Sequence, residues 1–393
     1  MKNAFIPFAN PGAAFQARKH EYDEAFSRVI GSGQYILGPE VETFERRFAE
    51  WLADASCAAG DCIGVANGTD AIEIALRALQ GLFPVPSGKL PAVFTVSHTA
   101  VATVAAIERA GCVPILVDID EASYTMSPGS LEAAVNMVAA ERPDLAPMAV
   151  IPVHLYGHPC DLDAIMGIGE RHGMRIIEDC AQAHGAAYRG KRVGTLGIAG
   201  TFSFYPTKNL GAIGDAGAVY TGDSALAAEM RALRQYGWKQ RYVSAIPGIN
   251  SRMDPLQAAF LDINLRHLDA DNAARRSIAA RYDALISRAT ITPPVAKPEV
   301  EHAFHLYVLR SKRRDALAAF LHERGVGTAV HYPQAVHSQP AYAGRVIIAP
   351  DGLPITERVV PELLSLPMFP QLIQADVERV AHALLAWDKE QSS

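Results

Sequence analysis

Over the first 250 residues, short runs of apolar residues alternate with segments of helical periodicity. Five runs are nearly continuous in apolar residues, without alternation, and predict strands, at 62–66, 92–96, 113–118, 148–154 and 174–178. Apolar residues recur every three or four positions in the segments between and before them, which predicts helices at 39–52, 69–79, 99–110, 128–140 and 162–172. Continuous apolar strands indicate burial on both faces, as in a mostly parallel sheet covered by helices. The pattern therefore predicts an α/β fold.

Beyond residue 250 the pattern changes. Residues 256–287 have the periodicity of one long helix, 304–310 resemble a strand of mixed polarity, and 315–324 have the pattern of a helix that a glycine ends. We therefore predict a large α/β domain with an N-terminal helical segment over residues 1–250, and a small α+β domain over residues 251–393.

Several polar residues follow the predicted strands, at the carboxyl ends where open parallel sheets bind their ligands. They are Asn67, Gly68, Thr69, Asp118, His154 and Asp179. Gly68 permits a tight turn, and the free N–H groups at the start of the next helix favour a phosphate. The same turn also fits a plain helix cap made by Thr69 or Asp70. The sequence leaves both interpretations open.

A lysine, a hydroxyl and a carboxylate stand in two neighbouring stretches, IIEDCAQAH and TFSFYPTKNLG. Lys208 could form an imine, Asp179 could hold a pyridine nitrogen protonated, and Ser203 could reach a phosphate. These are the three groups that a pyridoxal phosphate site requires. Gln182 could reach the ring face or its phenolic oxygen. By position alone, a surface lysine, a helix-capping aspartate and a packed strand serine remain open.

The composition bears on several classes of function. The 393 residues are 49% hydrophobic and carry a net charge of −6, which gives no reason to expect nucleic acid or an anionic membrane as partner. Five cysteines form no C-x-x-C pair, and the first residues contain no apolar signal-peptide region. No apolar run approaches the roughly 20 residues that span a bilayer. We therefore expect a cytoplasmic protein without membrane association.

Histidine and cysteine spacings raise the question of a metal. His154 and His158 lie four residues apart with Cys160 nearby, and Cys180 and His184 are also four apart. A glycine and a proline interrupt any helix that would carry the first pair. The sequence therefore favours structural or substrate-facing histidines, and we predict no metal site. It also contains neither a P-loop motif nor a G-x-S-x-G motif.

Taken together, these motifs resemble the sugar aminotransferases of the DegT/DnrJ/EryC1/StrS group, which are pyridoxal phosphate enzymes of fold type I. The likeness spans nearly the whole chain, and the lysine and aspartate motifs are its most specific parts. The matching stretches are GPEVETFE (38–45), NGTDA (67–71), EDCAQAHG (178–185), FSFYPTKNLG (202–211), GDAGAV (214–219), NSRMDPLQAA (250–259), HYP (331–333) and LSLPMFP (364–370). The resemblance implies an aspartate-aminotransferase-like fold and the cofactor pyridoxal 5'-phosphate.

The resemblance also implies a role for each matching position. Lys208 would form the Schiff base, and Asp179 would pair with the pyridine nitrogen. Further implied cofactor contacts are Gly68, Thr69, Gln182, Ser203 and Asn250. Asn250 would reach the cofactor of a neighbouring protomer, which implies a homodimer with shared active sites. The residues implied near the sugar or the amino donor are Tyr205, His331, Tyr332 and His337.

The chain departs from the family pattern at Ala100, and also at Ala216-Gly217, where a glycine pair is common. Family members often stack an aromatic side chain on the exposed face of the cofactor ring, and this chain has Ala100 there. Either His98 stacks on the ring instead, or that face is less covered.

The implied reaction moves an amino group from an amino acid, L-glutamate by expectation, to a nucleotide-linked keto-sugar. The stretch YGWKQRYVS (236–244) resembles members that act on dTDP-linked 3-keto-6-deoxyhexoses. Two alternatives keep the fold. One is a sugar dehydratase, a class of relatives in which the lysine has been lost. The other is a non-catalytic regulatory protein. Lys208 argues against the first, and an intact pair of Lys208 and Asp179 argues against the second.

Overall fold

The computed structural model describes residues 4–53, 60–286 and 290–391. The helices there are α1 (Pro11–Ala17), α2 (Lys19–Ser32), α3 (Pro39–Leu52), α4 (Gly68–Leu82), α5 (Val101–Arg109), α6 (Pro128–Glu141), α7 (Leu162–Arg171), α8 (Ser224–Leu233), α9 (Pro255–Leu285), α10 (Arg314–Glu323), α11 (Pro354–Val359) and α12 (Gln374–Gln391). Among the helices of this part of the chain, none combines the length with the low polarity that crossing a bilayer requires.

The strands are shorter than the helices. They are β1 (Asp61–Val65), β2 (Leu90–Val96), β3 (Val113–Val117), β4 (Leu145–Val150), β5 (Arg175–Asp179), β6 (Ala187–Tyr188), β7 (Lys191–Arg192), β8 (Ala199–Ser203), β9 (Gly217–Thr221), β10 (Trp238–Gln240), β11 (Val243–Ser244), β12 (Val300–Glu301), β13 (Tyr307–Arg310), β14 (Ile347–Ile348) and β15 (Leu363–Leu366).

An eight-stranded sheet lies at the centre of the molecule, in the order β1-β9-β8-β5-β4-β2-β3-β14. All neighbours from β8 to β14 pair in parallel, whereas β9 runs antiparallel to both β1 and β8. The prediction of a mostly parallel α/β sheet is confirmed, and each of the five predicted strands is present. The fourth ends at Val150 rather than at His154, because the chain then leaves the β2 pairing and bridges through Val153 to Asp179.

Apolar side chains fill both faces of the sheet. On one face, α3 buries Phe44 and Phe48, and the Phe48 ring packs edge-on against Phe202 of β8 with 5.0 Å between ring centroids. On the other face, α4 is buried on nearly all sides because it lies between the sheet and helices α5 and α8. Burial of each large apolar side chain stabilises the fold by roughly 1.5–3 kcal/mol.

The C-terminal third is built on one long helix. Helix α9 confirms the helix predicted at 256–287, but it ends at Leu285, since Ile286 is already extended, and Ser287 lies outside the described residues. It packs along α2 and α3 and joins β13, β15, α10 and α12 in a separate apolar core. Strand β14 extends the edge of the large sheet, with Ile347 opposite Ile115 of β3. The C-terminal segment thus contributes to both cores, and a domain boundary at residue 250 stays a prediction.

Three segments meet at the carboxyl edge of the central strands. Asp179, the last residue of β5, pairs in register with Thr201 of β8. Because β9 is antiparallel to both β1 and β8, those two strands run in the same direction, and the turn after β1 reaches the same edge. The first turn of α4 therefore packs against the end of β8, so closely that a Cβ built on Gly68 would lie 2.6 Å from Cβ of Ser203.

Candidate active site

A cavity of about 390 Å³ opens at this edge of the sheet. Its walls come from the first turns of α4 and α5, the ends of β5 and β8, the loop after β8 and two loops of the C-terminal third. Nine of the twelve residues that the sequence assigned to the site line it: Gly68, Thr69, Asp179, Gln182, Ser203, Tyr205, Lys208, His331 and Tyr332. The fold thus brings together side chains from distant parts of the sequence.

Asp179 is the buried acid of the cavity. Its Oδ2 accepts a hydrogen bond from the Thr103 hydroxyl at 2.9 Å, and its Oδ1 accepts one from the N–H of Ala181 at 3.1 Å. Burial raises the pKa of the carboxyl because water no longer solvates its charge, while the two donors and Lys208 act in the opposite direction. The two hydrogen bonds fix the orientation of the carboxylate, and each oxygen keeps a lone pair for a further donor.

Lys208 stands in the loop after β8. Its backbone N–H donates to the carbonyl of Tyr205 at 2.8 Å, which closes a turn directly beyond the strand. Part of the side chain is exposed, but its amine is enclosed. Burial lowers the pKa of that amine to about 8, and the charge of Asp179 opposes the shift. A lysine with this pKa is neutral, and therefore nucleophilic, in a useful fraction of molecules near neutral pH.

The first turn of α4 offers free backbone donors to the cavity. Asn67 caps the helix, since its Oδ1 accepts from the N–H of Asp70 at 2.8 Å, so neither Thr69 nor Asp70 acts as the cap. The N–H groups of Gly68 and Thr69 precede the intrahelical pattern and have no carbonyl within the helix to bond. With the helix dipole and the adjacent Ser203 hydroxyl, they form a cradle suited to a phosphate.

Gln182 is fixed at both ends of its amide. Its Oε1 accepts a hydrogen bond from the N–H of Tyr156 at 2.8 Å, and its Nε2 donates to the hydroxyl of Tyr332 at 2.9 Å. Burial raises the pKa of Tyr332 to about 12, so its hydroxyl stays neutral. Gln182 and Tyr332 therefore form one rigid polar wall of the cavity.

His331 and Tyr205 complete the predicted lining. Nδ1 of His331 lies 2.9 Å from the Ser365 hydroxyl. Burial, and then the charge of Lys208, lower the pKa of His331 to about 4, so its ring is neutral. Tyr205 is 53% exposed, which places its ring at the rim of the cavity.

Three predicted residues do not line the cavity. His98 is buried with its Nε2 2.8 Å from the hydroxyl of Tyr156. Nδ1 of His337 lies 2.7 Å from the Ser97 hydroxyl. Asn250 is exposed on the surface of its own chain. Roles for these three residues at the cofactor or substrate stay predictions.

The sequence did not single out three further residues of the cavity, Thr103, Asp215 and His305. The Thr103 hydroxyl orients the carboxylate of Asp179. Its one local signal in the sequence is that a second threonine, Thr99, lies four residues before it, and the two hydroxyls are hydrogen-bonded. His305 precedes the strand β13, and its one signal was a polar residue within an otherwise apolar run. Asp215 lies within the matching stretch GDAGAV, but nothing local to it indicates a place in the cavity.

One group of potential metal ligands lies beneath the site. The ligand atoms of His154, Glu178 and Cys180 all lie within 4.8 Å of one another. The Glu178 carboxylate already accepts four hydrogen bonds, one from His154 Nε2 and three from backbone N–H groups of residues 194–197. Nδ1 of His154 accepts from the N–H of Cys160 at 3.0 Å. These contacts account for the group without a metal, and the expectation of no metal site stays a prediction.

The cavity fits pyridoxal phosphate. The amine of Lys208 could bond to the carbonyl carbon of the cofactor, and the carboxylate of Asp179 could face its ring nitrogen. The cradle formed by Gly68, Thr69 and Ser203 has hydrogen-bond donors for its phosphate. When bound, the cofactor supplies an electron sink that stabilises negative charge on a substrate carbon. The chain's own part is to hold the group, to orient it and to move protons beside it.

The chain is similar to known proteins over nearly its whole length. A model of the DegT/DnrJ/EryC1/StrS aminotransferase family matches residues 16–385. The erythromycin biosynthesis sensory transduction protein EryC1 of Saccharopolyspora erythraea is 44% identical over 97% of this chain and 99% of its own. The dTDP-3-amino-3,4,6-trideoxy-alpha-D-glucose transaminase of Streptomyces venezuelae is 42% identical over 97% of this chain and 96% of its own. The crystal structure of S. venezuelae DesV has a TM-score of 0.90 at 41% identity and covers 98% of this chain and 99% of its own.

These matches confirm the fold class that the sequence predicted. The likeness to DesV covers 98% of this chain and therefore includes the sheet that ends in Asp179 and the loop after β8 that holds Lys208. The cofactor of such aminotransferases is pyridoxal phosphate, for which the cavity has the required groups. The chain therefore belongs to the DegT/DnrJ/EryC1/StrS family of pyridoxal-phosphate-dependent aminotransferases.

Proposed function

We propose that this enzyme moves an amino group from L-glutamate to the keto carbon of a nucleotide-linked sugar. The observation that carries the proposal is the convergence of Lys208, Asp179 and the Gly68–Ser203 cradle on one cavity. A buried lysine alone would suit many enzymes. The three groups together match the carbonyl, the ring nitrogen and the phosphate of the cofactor.

The proposed roles follow from the pKa values and contacts of the cavity. Because its pKa is about 8, Lys208 can exist as a free amine that removes a proton from the donor's α-carbon and later returns one to the acceptor carbon. Asp179, fixed by Thr103 and Ala181, would keep a negative charge beside the ring nitrogen. His331 and Tyr332, both neutral, would contact the sugar or the donor.

We propose a dTDP-linked 3-keto-6-deoxyhexose as the acceptor. The support is the name of the S. venezuelae transaminase, which acts on a dTDP-linked 3-amino sugar, and the motif at 236–244. In this chain the motif forms an exposed hairpin in which the Arg241 guanidinium lies 5.0 Å from the Tyr242 ring centroid. Exposed aromatic rings and cations of this kind suit a nucleobase and a diphosphate.

We propose a homodimer in which Asn250 of one protomer reaches the cofactor phosphate of the other. Two observations support it. Asn250 is exposed and does not line the cavity of its own chain. In addition, Phe26, Ile30, Tyr35 and Ile36 are each 49–57% exposed within one short stretch of chain, and clustered exposed apolar side chains mark interfaces.

We propose the cytoplasm as the location of the enzyme. Cys62, Cys112, Cys160 and Cys180 are all buried and unpaired. Free buried thiols suit a reducing compartment better than an oxidising one.

A two-step spectral titration tests the proposed reaction. Addition of L-glutamate to the cofactor-loaded enzyme should remove the visible absorbance of lysine-bound cofactor and yield one 2-oxoglutarate per site. A dTDP-linked 3-keto-6-deoxyhexose should then restore the absorbance, with a UDP-linked keto-sugar and the free sugar as comparators. Restoration by the UDP-linked sugar alone would overturn the nucleotide assignment. Restoration by no keto-sugar at all would overturn the proposed reaction.

The name of EryC1, a sensory transduction protein, favours a second candidate function, that of a non-catalytic regulatory protein. Such a protein could use Lys208 to hold the cofactor, but it would not need an amine whose pKa suits proton transfer. The glutamate step separates the two functions: a protein that binds the cofactor but forms no 2-oxoglutarate would be the regulator. The dehydratase alternative is disfavoured because Lys208 is present.

A further inference from the structure

A buried histidine with no role in the proposed reaction lies on the wall of the cavity. His305 precedes β13, is 6% exposed, and lines the cavity together with Lys208 and Asp179. Its Nδ1 lies 3.2 Å from Oδ1 of Asn209, the residue that follows Lys208. The histidine is therefore tied to the lysine loop itself.

The hydrogen bonds of Asn209 determine which ring nitrogen of His305 carries the proton. Nδ2 of Asn209 donates to Oδ1 of Asn272 at 2.8 Å and to the carbonyl of Ala303 at 2.9 Å, which uses both of its hydrogens. Nδ2 of Asn272 in turn donates to the carbonyl of His184 at 2.8 Å, so the orientation of both amides is fixed by a backbone acceptor. Oδ1 of Asn209 can only accept, and Nδ1 of His305 must therefore be the donor.

This tautomer leaves Nε2 of His305 as an unprotonated acceptor. Within residues 4–53, 60–286 and 290–391, the imidazole ring of His305 forms its hydrogen bond through Nδ1, and Nε2 forms none. Burial, followed by the charges of Lys208 and Arg275, holds the pKa of His305 well below its ordinary value. The ring is thus neutral and presents a lone pair.

A released lysine needs such an acceptor. A buried amine or ammonium is costly unless its N–H groups are hydrogen-bonded. Asp179 is already engaged by Thr103 and Ala181, and one of its remaining lone pairs would accept from the cofactor's ring nitrogen. His331 is also neutral, and its Nδ1 is hydrogen-bonded to the hydroxyl of Ser365. Because a hydroxyl can donate or accept, this bond does not determine whether Nε2 of His331 is protonated.

We propose that His305 is a positioning residue for Lys208: held by Asn209 in the Nδ1–H tautomer, it accepts through Nε2 a hydrogen bond from the ε-amino group whenever Lys208 is not bonded to the cofactor. The inference rests on the proposed role of Lys208. The released amine would then lie at Nε2 of His305, from where it can return to the cofactor. The amides of Asn209 and Asn272 would fix the position and tautomer of that ring.

The test uses enzyme loaded with pyridoxamine phosphate, the form in which Lys208 is free. The pH dependence of Lys208 labelling by an amine reagent, read by mass spectrometry of its peptide, gives the pKa of the amine. His305→Met removes the acceptor, and His305→Gln keeps one at similar reach. His302→Met is the matched control, because His302 is a buried histidine of the same segment that does not line the cavity.

The hydrogen bond to Nε2 stabilises the ammonium form, so its loss should lower the labelling midpoint in His305→Met by roughly one pH unit. His305→Gln and His302→Met should titrate like the wild type. Equal midpoints in all four proteins would overturn the inference, and so would a shift in His331→Met but not in His305→Met. Failure of the wild type to bind pyridoxamine phosphate would instead refute the proposed function.

A second measurement needs no variant at His305. Nitrogen-15 spectra of labelled imidazoles in the pyridoxamine form, assigned in the wild-type protein by through-bond connection of each ring to its backbone, report the tautomer directly. The expected result is a protonated Nδ1 and a hydrogen-bonded, unprotonated Nε2. A protonated Nε2 would overturn the inference even if every variant failed to fold.

Discussion

At the scale of single residues, burial controls the charge of the cavity. It raises the pKa of Asp179 and lowers that of Lys208 to about 8, so that each group is shifted towards its neutral form. A protonated ring nitrogen beside Asp179 would supply a cationic partner and favour the carboxylate. The charge of Asp179 therefore depends on the cofactor that it is proposed to hold.

Asp179→Asn tests that dependence. The amide keeps the shape of the side chain but cannot stabilise a protonated ring nitrogen. We expect the glutamate step to slow on the order of a hundredfold or more while the cofactor stays bound, as measured by single-turnover absorbance. Thr103→Val, which removes one hydrogen bond and leaves the charge, should slow the step only roughly tenfold. An Asp179→Asn enzyme of wild-type rate would show that this carboxylate has no part in the reaction.

The lowered pKa of Lys208 predicts how the cofactor-free protein captures pyridoxal phosphate. Only the neutral amine attacks the carbonyl, so the rate should rise with pH below the pKa and level off near pH 8. An unshifted lysine would continue to gain rate up to its ordinary pKa. Stopped-flow absorbance measures the profile, and a rate that still rises steeply above pH 9 would contradict the burial argument.

The sequence predicted those site residues that lie in local motifs at strand ends. Asp179, Ser203 and Lys208 follow or end apolar runs, and parallel strands bring such ends to one edge. His305 and Thr103 could not be found in this way, because their places in the site depend on contacts with Asn209 and Asp179 that only the folded chain creates.

At the scale of elements, apolar patterns predicted which segments are buried but not how they pair. Strand β1 has the continuous apolar pattern of a parallel strand, yet it pairs antiparallel with β9, because burial on both faces does not depend on direction. Strand β14 has only two residues, too few for any periodicity. Its place beside β3 is determined by tertiary contacts, among them the N–H of Ala349 donating to the carbonyl of Leu116 at 2.8 Å.

The junction of α4 with β8 gives a prediction at this scale. In Gly68→Ala the new Cβ would lie 2.6 Å from Cβ of Ser203, an atom fixed to the backbone, so the first turn of α4 and the end of β8 can no longer keep their present separation. Overpacking of this kind costs about 1–3 kcal/mol, and we expect cofactor affinity to fall roughly tenfold, as measured by fluorescence titration.

Gly222→Ala is the matched control for that variant. No atom lies within 4 Å of the Cβ it would gain, so its affinity should equal that of the wild type. If Gly68→Ala binds the cofactor as tightly as Gly222→Ala, the cradle does not hold the phosphate.

At the scale of the whole molecule, the proposal requires two chains for each site. A site with its own Lys208 and the partner's Asn250 can be rebuilt from two defective variants. In a mixed dimer of Lys208→Ala and Asn250→Ala, one of the two sites has both native residues.

We therefore expect each variant alone to have little activity at limiting cofactor. When the two variants are unfolded and refolded together, the activity should be partly recovered. Coupled 2-oxoglutarate formation measures the recovery, and light scattering measures the mass. A monomer, or a mixed dimer without recovered activity, would refute the shared site.

The central claim is that Lys208 carries the cofactor. Reduction of the cofactor-loaded enzyme with borohydride makes the lysine–cofactor bond permanent, and mass spectrometry of the digested protein then locates it. We predict the pyridoxyl group on the peptide that contains Lys208 and on no other lysine. An unlabelled Lys208 peptide from fully loaded enzyme, or a label on a different lysine, would contradict the claim.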